Sequence, residues 1–373
     1  MLVNRGLRHQ IERMLASTDV AINGDRPWDI RIKDRRFFPR VIAQGSFGFG
    51  ESYMDGWWDT ESLDQLLYRL IRARLQDKLP SVVTLTTSFK HRLLNCQSLR
   101  RAFTVGEKHY DIGNDLYRDM LDSRMIYSCG YWRNARTLDE AQVAKLDLIC
   151  RKLQLQAGQK VLDIGCGWGG CARYLAEHYG VEVVGITISK AQADLAVENC
   201  RGLPIDIRVQ DYREIEGTFD RVVSIGMFEH VGYKNYRTYF RKVAELLKED
   251  GLFLLHTIGA NKSTRHTDPW FDHYIFPNGM IPSARQISAG FEGLFVLEDW
   301  HNFGVDYDKT LMAWYANFTA AWPRLRHHYD ERFRRMWTYY LLSCAASFRA
   351  RHNQLWQVAL SPRGLAETCY FPR

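Results

Sequence analysis

An α/β fold built on a doubly wound, parallel sheet is predicted for this chain by three observations. Short β-branched and apolar runs alternate with helical stretches beyond Thr104. A glycine-dense turn, 165–170, links the first of those runs to its helix. The connecting helices are about ten residues long, the length of a βαβ crossover rather than of a bundle helix. Strands are expected at 160–164, 181–186, 205–209, 221–225 and 252–256, with helices at 171–179, closed by Gly180, and at 191–200. In such a sheet ligands bind at the carboxyl ends of the strands, where strand order reverses.

Before Thr104 the pattern is different, and a small N-terminal domain is expected at 1–80. Residues 27–33 alternate polar and apolar, as a short strand does. Residues 37–53 carry Gly45, Gly48 and Gly50 among aromatics and read as turns and short elements. A helix is expected at 61–75, because Leu63, Leu66, Leu67, Leu70 and Ile71 share one stripe, with Thr60 as N-cap. Pro80 ends that domain. A linker and a basic amphipathic segment, including Lys90, Arg92, Arg100 and Arg101, fill 81–103. The domain carrying the sheet is 104–373.

Composition narrows the classes of protein. The 373 residues hold 50 Lys and Arg against 43 Asp and Glu, a net +7, with 46% hydrophobic and 25% charged residues. That is ordinary globular usage and excludes disordered or collagen-like chains. No apolar run approaches the ~18 residues of a membrane span. The first residues lack the apolar core of a secretion signal, so a cytoplasmic protein is expected. The eight cysteines form no C-x-x-C pair, so neither a disulfide framework nor a metal site is expected. The mild positive excess suits an anionic partner without choosing between nucleic acid and phospholipid.

The turn Val161-Leu162-Asp163-Ile164-Gly165-Cys166-Gly167-Trp168-Gly169-Gly170 formally matches the dinucleotide pattern G-x-G-x-x-G. Two details argue against a dinucleotide. Asp163 would set a carboxylate against a pyrophosphate. The acid expected some 20 residues on, for a ribose, is missing, since the second strand ends Gly185-Ile186-Thr187. The Lys-Ser/Thr of a phosphate loop is absent too. A cationic ligand reverses the first objection. S-adenosylmethionine (SAM) carries an ammonium and a sulfonium and no phosphate, so an acid beside a close-approach turn suits it. The loop residues Asp163, Gly165, Cys166, Gly167 and Gly169 are the expected SAM contacts. The segment from Thr187 through Ile188 to Gln192 is expected near the ribose. Asp211, with Tyr212 after the third strand, is expected at the adenine edge, the alternative being a loop or N-cap acid. The fold is then Rossmann-like, of the class I SAM-dependent methyltransferase type.

Several longer motifs resemble the cyclopropane fatty acid synthases. They are His109-Tyr110-Asp111-Ile112-Gly113-Asn114-Asp115, Tyr127-Ser128-Cys129-Gly130-Tyr131-Trp132, the glycine turn, Gly226-Met227-Phe228-Glu229-His230-Val231-Gly232, Leu254-Leu255-His256-Thr257-Ile258-Gly259 and Tyr274-Ile275-Phe276-Pro277-Asn278-Gly279. The likeness covers nearly the whole chain, including Gly50 to Trp58, and follows the bacterial phospholipid-modifying type. It implies transfer of a methylene from SAM across a cis double bond of a phospholipid acyl chain. A carbocation forms, and a bound bicarbonate ion acts as the base. The positions matching the bicarbonate pocket are Cys129, Glu229, His256, Ile258 and Tyr307. Tyr127 and Ser128 match SAM contacts, as do the loop, 187–192, Asp211 and Tyr212. Cys344 matches a cysteine discussed as catalytic, and a packing role stays open beside it.

The chemistry agrees with this expectation. An alkene has no acidic proton to remove before attack, so the site must supply proximity, dryness and tolerance of a cation. Trp270, Phe271, Tyr274, Phe276, Trp300, Phe303, Tyr307, Trp314, Tyr315 and Phe318 offer aromatic faces for a cation or an apolar passage for an acyl chain. Glu229 and His256 fall at the ligand edge of the sheet and can hold a base or act as one. His230 is read as structural, and Cys129 as acting through its backbone. Ile258 has no reactive side chain and shapes the pocket or offers backbone.

The substrate implies peripheral association with the inner face of a membrane, through basic runs at 31–40, 90–101 and 324–335. The expected partners are the bilayer surface and, as an assembly, a homodimer. No nucleic-acid partner is expected, since the aromatics cluster with apolar residues rather than with Lys and Arg. Competing readings keep SAM but make the product a branched lipid or a methylated amine, or keep the fold without catalysis.

Overall fold

The computed structural model describes residues 2–75, 113–366 and 369–373. The linker and basic segment expected at 81–103, and the start of the motif at His109, lie outside the described residues. The chain divides into two compact units, both discontinuous in sequence.

The larger unit comprises Asn95–Thr264, Asn278–Thr310 and Gln354–Arg373. Its sheet has seven strands. They are β1 (Lys160–Ile164), β2 (Glu182–Thr187), β3 (Ile205–Val209), β4 (Phe219–Ile225), β5 (Leu247–Ala260), β6 (Val296–Asn302) and β7 (Asn353–Ser361). Their spatial order is β3-β2-β1-β4-β5-β7-β6. β1 pairs in parallel with β2 and with β4, β2 with β3, and β4 with β5. β6 and β7 pair antiparallel. The order therefore reverses between β1 and β4, which places the switch point at the carboxyl end of β1, beside the glycine turn.

Both faces of the sheet are covered. Val161, Val183, Val223, Leu252 and Leu254 fall in one core cluster, and Leu162, Val184, Val222, Phe253 and Leu255 in the other. Alternate residues thus point to opposite faces, and both faces are apolar, as for a parallel sheet between helical layers. The doubly wound expectation is met, with corrected bounds. β5 runs well past 252–256 at both ends, and β6 and β7 were not read from the sequence at all.

The smaller unit comprises Met1–Leu94, Arg265–Pro277 and Leu311–Asn353. The contiguous boundary at residue 80 differs from this grouping, and the reason is packing. The apolar stripe of helix Leu63–Arg72, with Leu63, Leu66 and Leu67 buried, is covered by helix Glu331–Arg349. The two are clamped by Arg349 on Asp64 at 2.6 Å. Ser62 rather than Thr60 is the N-cap position, because Thr60 donates its hydroxyl to the Pro27 carbonyl.

Residues 37–53 are not turns. Helix Phe37–Met54 spans them, kinked at Gly45 (φ 59°, ψ −133°). Gly50 is there for close approach, since a Cβ would lie 2.6 Å from the Trp270 ring. Only two residues of the strand expected at 27–33 are ladder-paired, Arg31–Ile32 against Trp58–Asp59. Trp58, fully buried, is ringed by Phe37, Phe49 and Tyr53.

The basic runs are largely neutralised where they are described. Arg31 pairs with Glu61, Lys33 with Asp59, Arg36 with Asp34 and Arg40 with Asp55. Arg332 pairs with Glu51 and Asp55, and Arg334 with Glu331. No described helix is long and apolar enough to cross a membrane.

Candidate active site

The turn after β1 is held open by left-handed backbone. Gly165, Gly167 and Gly169 have φ of 88°, 55° and 83°. A side chain at Gly165 would strain the backbone and press its Cβ to 2.8 Å from Met227. Gly165 and Cys166 both donate their N–H to the Ile186 carbonyl, at 2.9 and 3.0 Å, which ties the turn to the end of β2. Asp163, one residue before the end of β1, is 1% exposed, and its Oδ2 has no hydrogen-bond partner. Burial pushes its pKa up to about 7, against the opposing pull of the Lys145 charge. A buried carboxyl of this kind becomes an anion readily once a cation arrives beside it.

The segment expected near the ribose is internally locked. Thr187 Oγ1 donates to Gln192 Oε1 at 2.9 Å and accepts the Ser189 N–H at 3.2 Å. Ile188 between them is half-buried. Both oxygens of Asp211 are engaged by Arg213, at 2.7 and 2.8 Å. The Tyr212 ring turns into the core against Tyr239.

Tyr127, Ser128 and Cys129 form a second wall. The Tyr127 ring packs on Tyr117 at 5.2 Å, and Tyr117 on Trp168 of the glycine turn at 4.8 Å. Ser128 Oγ lies 2.9 Å from Nζ of Lys145. Cys129 is fully buried, and burial holds its thiol well above the ordinary range, so it stays protonated. Its Sγ–H donates to the Gly130 carbonyl at 3.1 Å. A buried, protonated thiol is a poor nucleophile.

Glu229 sits in the 3-10 turn Phe228–His230, just past β4. Its Oε1 accepts the Ile258 N–H at 2.7 Å, while Oε2 is buried with no partner. Burial raises its pKa to about 7, and the Ile258 N–H draws it partly back. Ile258 meets Glu229 through its backbone N–H. His256, in β5 opposite Ile225 of β4, is 1% exposed. Its Nδ1 lies 3.4 Å from the Gln357 amide nitrogen, and its Nε2 has no partner. Burial and the charges of Lys145 and Lys152 hold its pKa well below the ordinary value, so the ring is neutral. With the Gln357 amide nitrogen donating to Nδ1, the proton of the neutral ring sits on Nε2. His230 is half-buried, and desolvation lowers its pKa to about 4, so its ring is neutral.

Phe303 stacks edge-on to His256 at 5.8 Å and to Tyr131 at 5.2 Å. Its neighbour Gly304 accepts the Tyr307 N–H, and Tyr307 is 9% exposed. Thr310, one turn on, accepts the Gly130 N–H at 3.0 Å. Cys129, Glu229, His256, Ile258 and Tyr307 thus belong to one unit on linked elements. Cys344 belongs to the other unit, mid-helix, and burial pushes its thiol up to about 12. Among the described residues no cluster of His, Cys, Asp and Glu could hold a metal.

Sequence reasoning missed Gln142, Lys145, Gln357 and Thr310. The available signal was Gln142 and Lys145 on the same stripe as Leu138, Ala141, Leu146 and Ile149, which a polar outer face does not explain.

A parallel sheet with its switch point at a left-handed glycine turn and a buried acid beside that turn defines a class I SAM-dependent methyltransferase. A sequence profile of the mycolic acid cyclopropane synthetase family matches residues 97–358. The cyclopropane-fatty-acyl-phospholipid synthase of Escherichia coli strain K12 is 56% identical over 349 residues, 93% of this chain and 91% of that one. The cyclopropane synthase MmaA2 of Mycobacterium tuberculosis superposes with a TM-score of 0.66 at 30% identity, over 72% of this chain and 99% of that one. A mycolic acid cyclopropane synthase crystallised with SAH and CTAB superposes at 0.64 and 32% identity, over 69% and 97%. The chain belongs to the mycolic acid cyclopropane synthetase family.

Proposed function

We propose that the protein transfers a methylene from SAM across a cis double bond of a phospholipid acyl chain. The observation that carries this reading is the match to the Escherichia coli cyclopropane-fatty-acyl-phospholipid synthase over 93% of the chain. The alkene attacks the methyl carbon, the carbon–sulfur bond breaks, and S-adenosylhomocysteine (SAH) leaves. The resulting carbocation loses a proton from the new methyl group, and the freed electron pair closes the ring. Aromatic faces such as Phe303 stabilise the cation while the buried site keeps water from trapping it.

The residues fit a bicarbonate ion. Glu229 Oε2 and His256 Nε2 are both buried without partners, one an acceptor when ionised and the other a donor. Hydrogen carbonate has both an O–H to give and oxygens to receive. Glu229, His256, Tyr307 and the backbone of Cys129 and Ile258 would hold it, and it would supply the base for the departing proton.

Incubation with SAM and vesicles of cis-unsaturated phospholipid tests the function. The expected product has gained one CH2 and lost its olefin. A product that keeps its olefin, or methylation of an amine alone, contradicts ring formation.

Reaching the acyl chain requires docking on the bilayer surface, for which the basic positions of the sequence at 31–40, 90–101 and 324–335 are the candidates. Binding to anionic vesicles is expected to weaken as salt rises and the screening length falls from ~10 Å at 0.1 M to ~3 Å at 1 M. Binding indifferent to salt would rule out an electrostatic dock.

A further inference from the structure

One face of helix Leu138–Lys152 grips the wall segment at two points. Gln142 Nε2 donates to the Ser128 carbonyl at 2.8 Å. One turn on, Lys145 Nζ donates to Ser128 Oγ at 2.9 Å. Lys145 is fully buried, which is rare for lysine and calls for a role. An ammonium only donates, so Ser128 Oγ is the acceptor in this bond. The hydroxyl's own proton is therefore released for a second partner.

The surroundings indicate what that partner is. A Cβ on Gly170 would lie 3.1 Å from Ile126 Cγ1, so the segment leading to Ser128 lies against the end of the glycine turn. At the strand end that opens the turn is Asp163, 1% exposed, with Oδ2 unpartnered. The Lys145 charge acts on Asp163 and also on Cys129 and His256. A donor backed by a cation and a buried acid thus flank one glycine turn. The α-carboxylate and α-ammonium of a methionyl group carry the complementary pair of charges.

We propose that Lys145 is a positioning residue that acts through Ser128, fixing its hydroxyl as a donor to the α-carboxylate of SAM. This rests on the chain's use of SAM and not on the acceptor. It assigns the lysine to cofactor recognition rather than to packing or to the transferred carbon.

Calorimetric titration of the full chain with two probes tests it: SAH, and the analogue lacking only the α-carboxylate. Lys145→Met is expected to weaken SAH about tenfold to a hundredfold, the range for a charge-assisted hydrogen bond. The analogue is expected to bind the variant and the parent within about threefold. Ser128→Ala should give the same selective loss, and the double variant no further loss. Lys145→Gln, which keeps an N–H donor, should recover part of the SAH affinity, and it carries the comparison if Lys145→Met does not fold. Equal losses for both probes would assign Lys145 to structure and overturn the proposal. So would unchanged SAH affinity, or losses that add in the double variant. Failure of the parent chain to bind SAH would refute the use of SAM itself.

Discussion

Glu229→Gln is expected to lower turnover on unsaturated phospholipid by roughly 10²- to 10⁴-fold, the span of a lost acid–base group. SAH affinity should stay within about threefold, because the side chain lies past β4 and not at the glycine turn. The substitution conserves shape, and Gln can still accept the Ile258 N–H through its amide oxygen. It removes the ionisable oxygen, Oε2, that is buried without a partner. The pH profile sharpens the prediction. Burial raises the Glu229 pKa to about 7, so the carboxylate forms as pH rises through that value. Turnover should climb over the same range, and the Gln variant should lack the climb. His256 stays neutral throughout, since its pKa is held far below the ordinary value, and it adds no second limb there. Unchanged turnover in the Gln variant would remove Glu229 from the path of the proton.

Asp163→Asn should separate stability from binding. The folded pKa of about 7 lies above the unfolded value of 3.8. Between these values the folded chain binds the extra proton, so stability falls as pH rises. The loss is complete above about pH 7 and amounts to about 4 kcal/mol at ~1.4 kcal/mol per unit. Asn carries no such liability. Without ligand, the variant should melt above the parent at pH 8, with the gap closing toward pH 5. With saturating SAH the gap at pH 8 should narrow by about 2.7 kcal/mol, because the parent alone offers a carboxylate to the α-ammonium. Affinity should fall by roughly a hundredfold, as for a lost charged pair. Thermal melts at the two pH values, with and without SAH, decide it. An affinity equal to that of the parent would show that Asp163 does not meet the ligand.

The sheet was legible where apolar runs were bounded by glycine. β1, β2 and β3 and the turn at 165–170 follow from those boundaries, and the positive φ of Gly165, Gly167 and Gly169 is what a glycine-dense turn implies. Helix Phe37–Met54 was hidden because its glycines resemble punctuation. One of them makes the kink, and Gly50 admits the Trp270 ring. Tertiary packing overrode local propensity there. β7 was hidden for the opposite reason: buried on nearly every position, it has no alternation to read. Glu229 and His256 were reachable from the strand ends expected there, although β5 continues past His256, and Ile258 only through the family resemblance. Lys145 was not, because a lysine on a helix is ordinarily solvated, and only the structure shows it inside. The discontinuous unit that joins helices Leu63–Arg72 and Glu331–Arg349 likewise depends on long-range cover that no local pattern announces.

The most direct test of the account uses SAM whose transferred methyl group carries only deuterium, presented with cis-unsaturated phospholipid vesicles. Ring closure after proton loss from that methyl predicts an acyl chain that has gained CD2 and lost its olefin, with one deuterium released to solvent. An acyl chain that retains all the label as CD3, or that takes up no label while SAH accumulates, would contradict methylene transfer at this site.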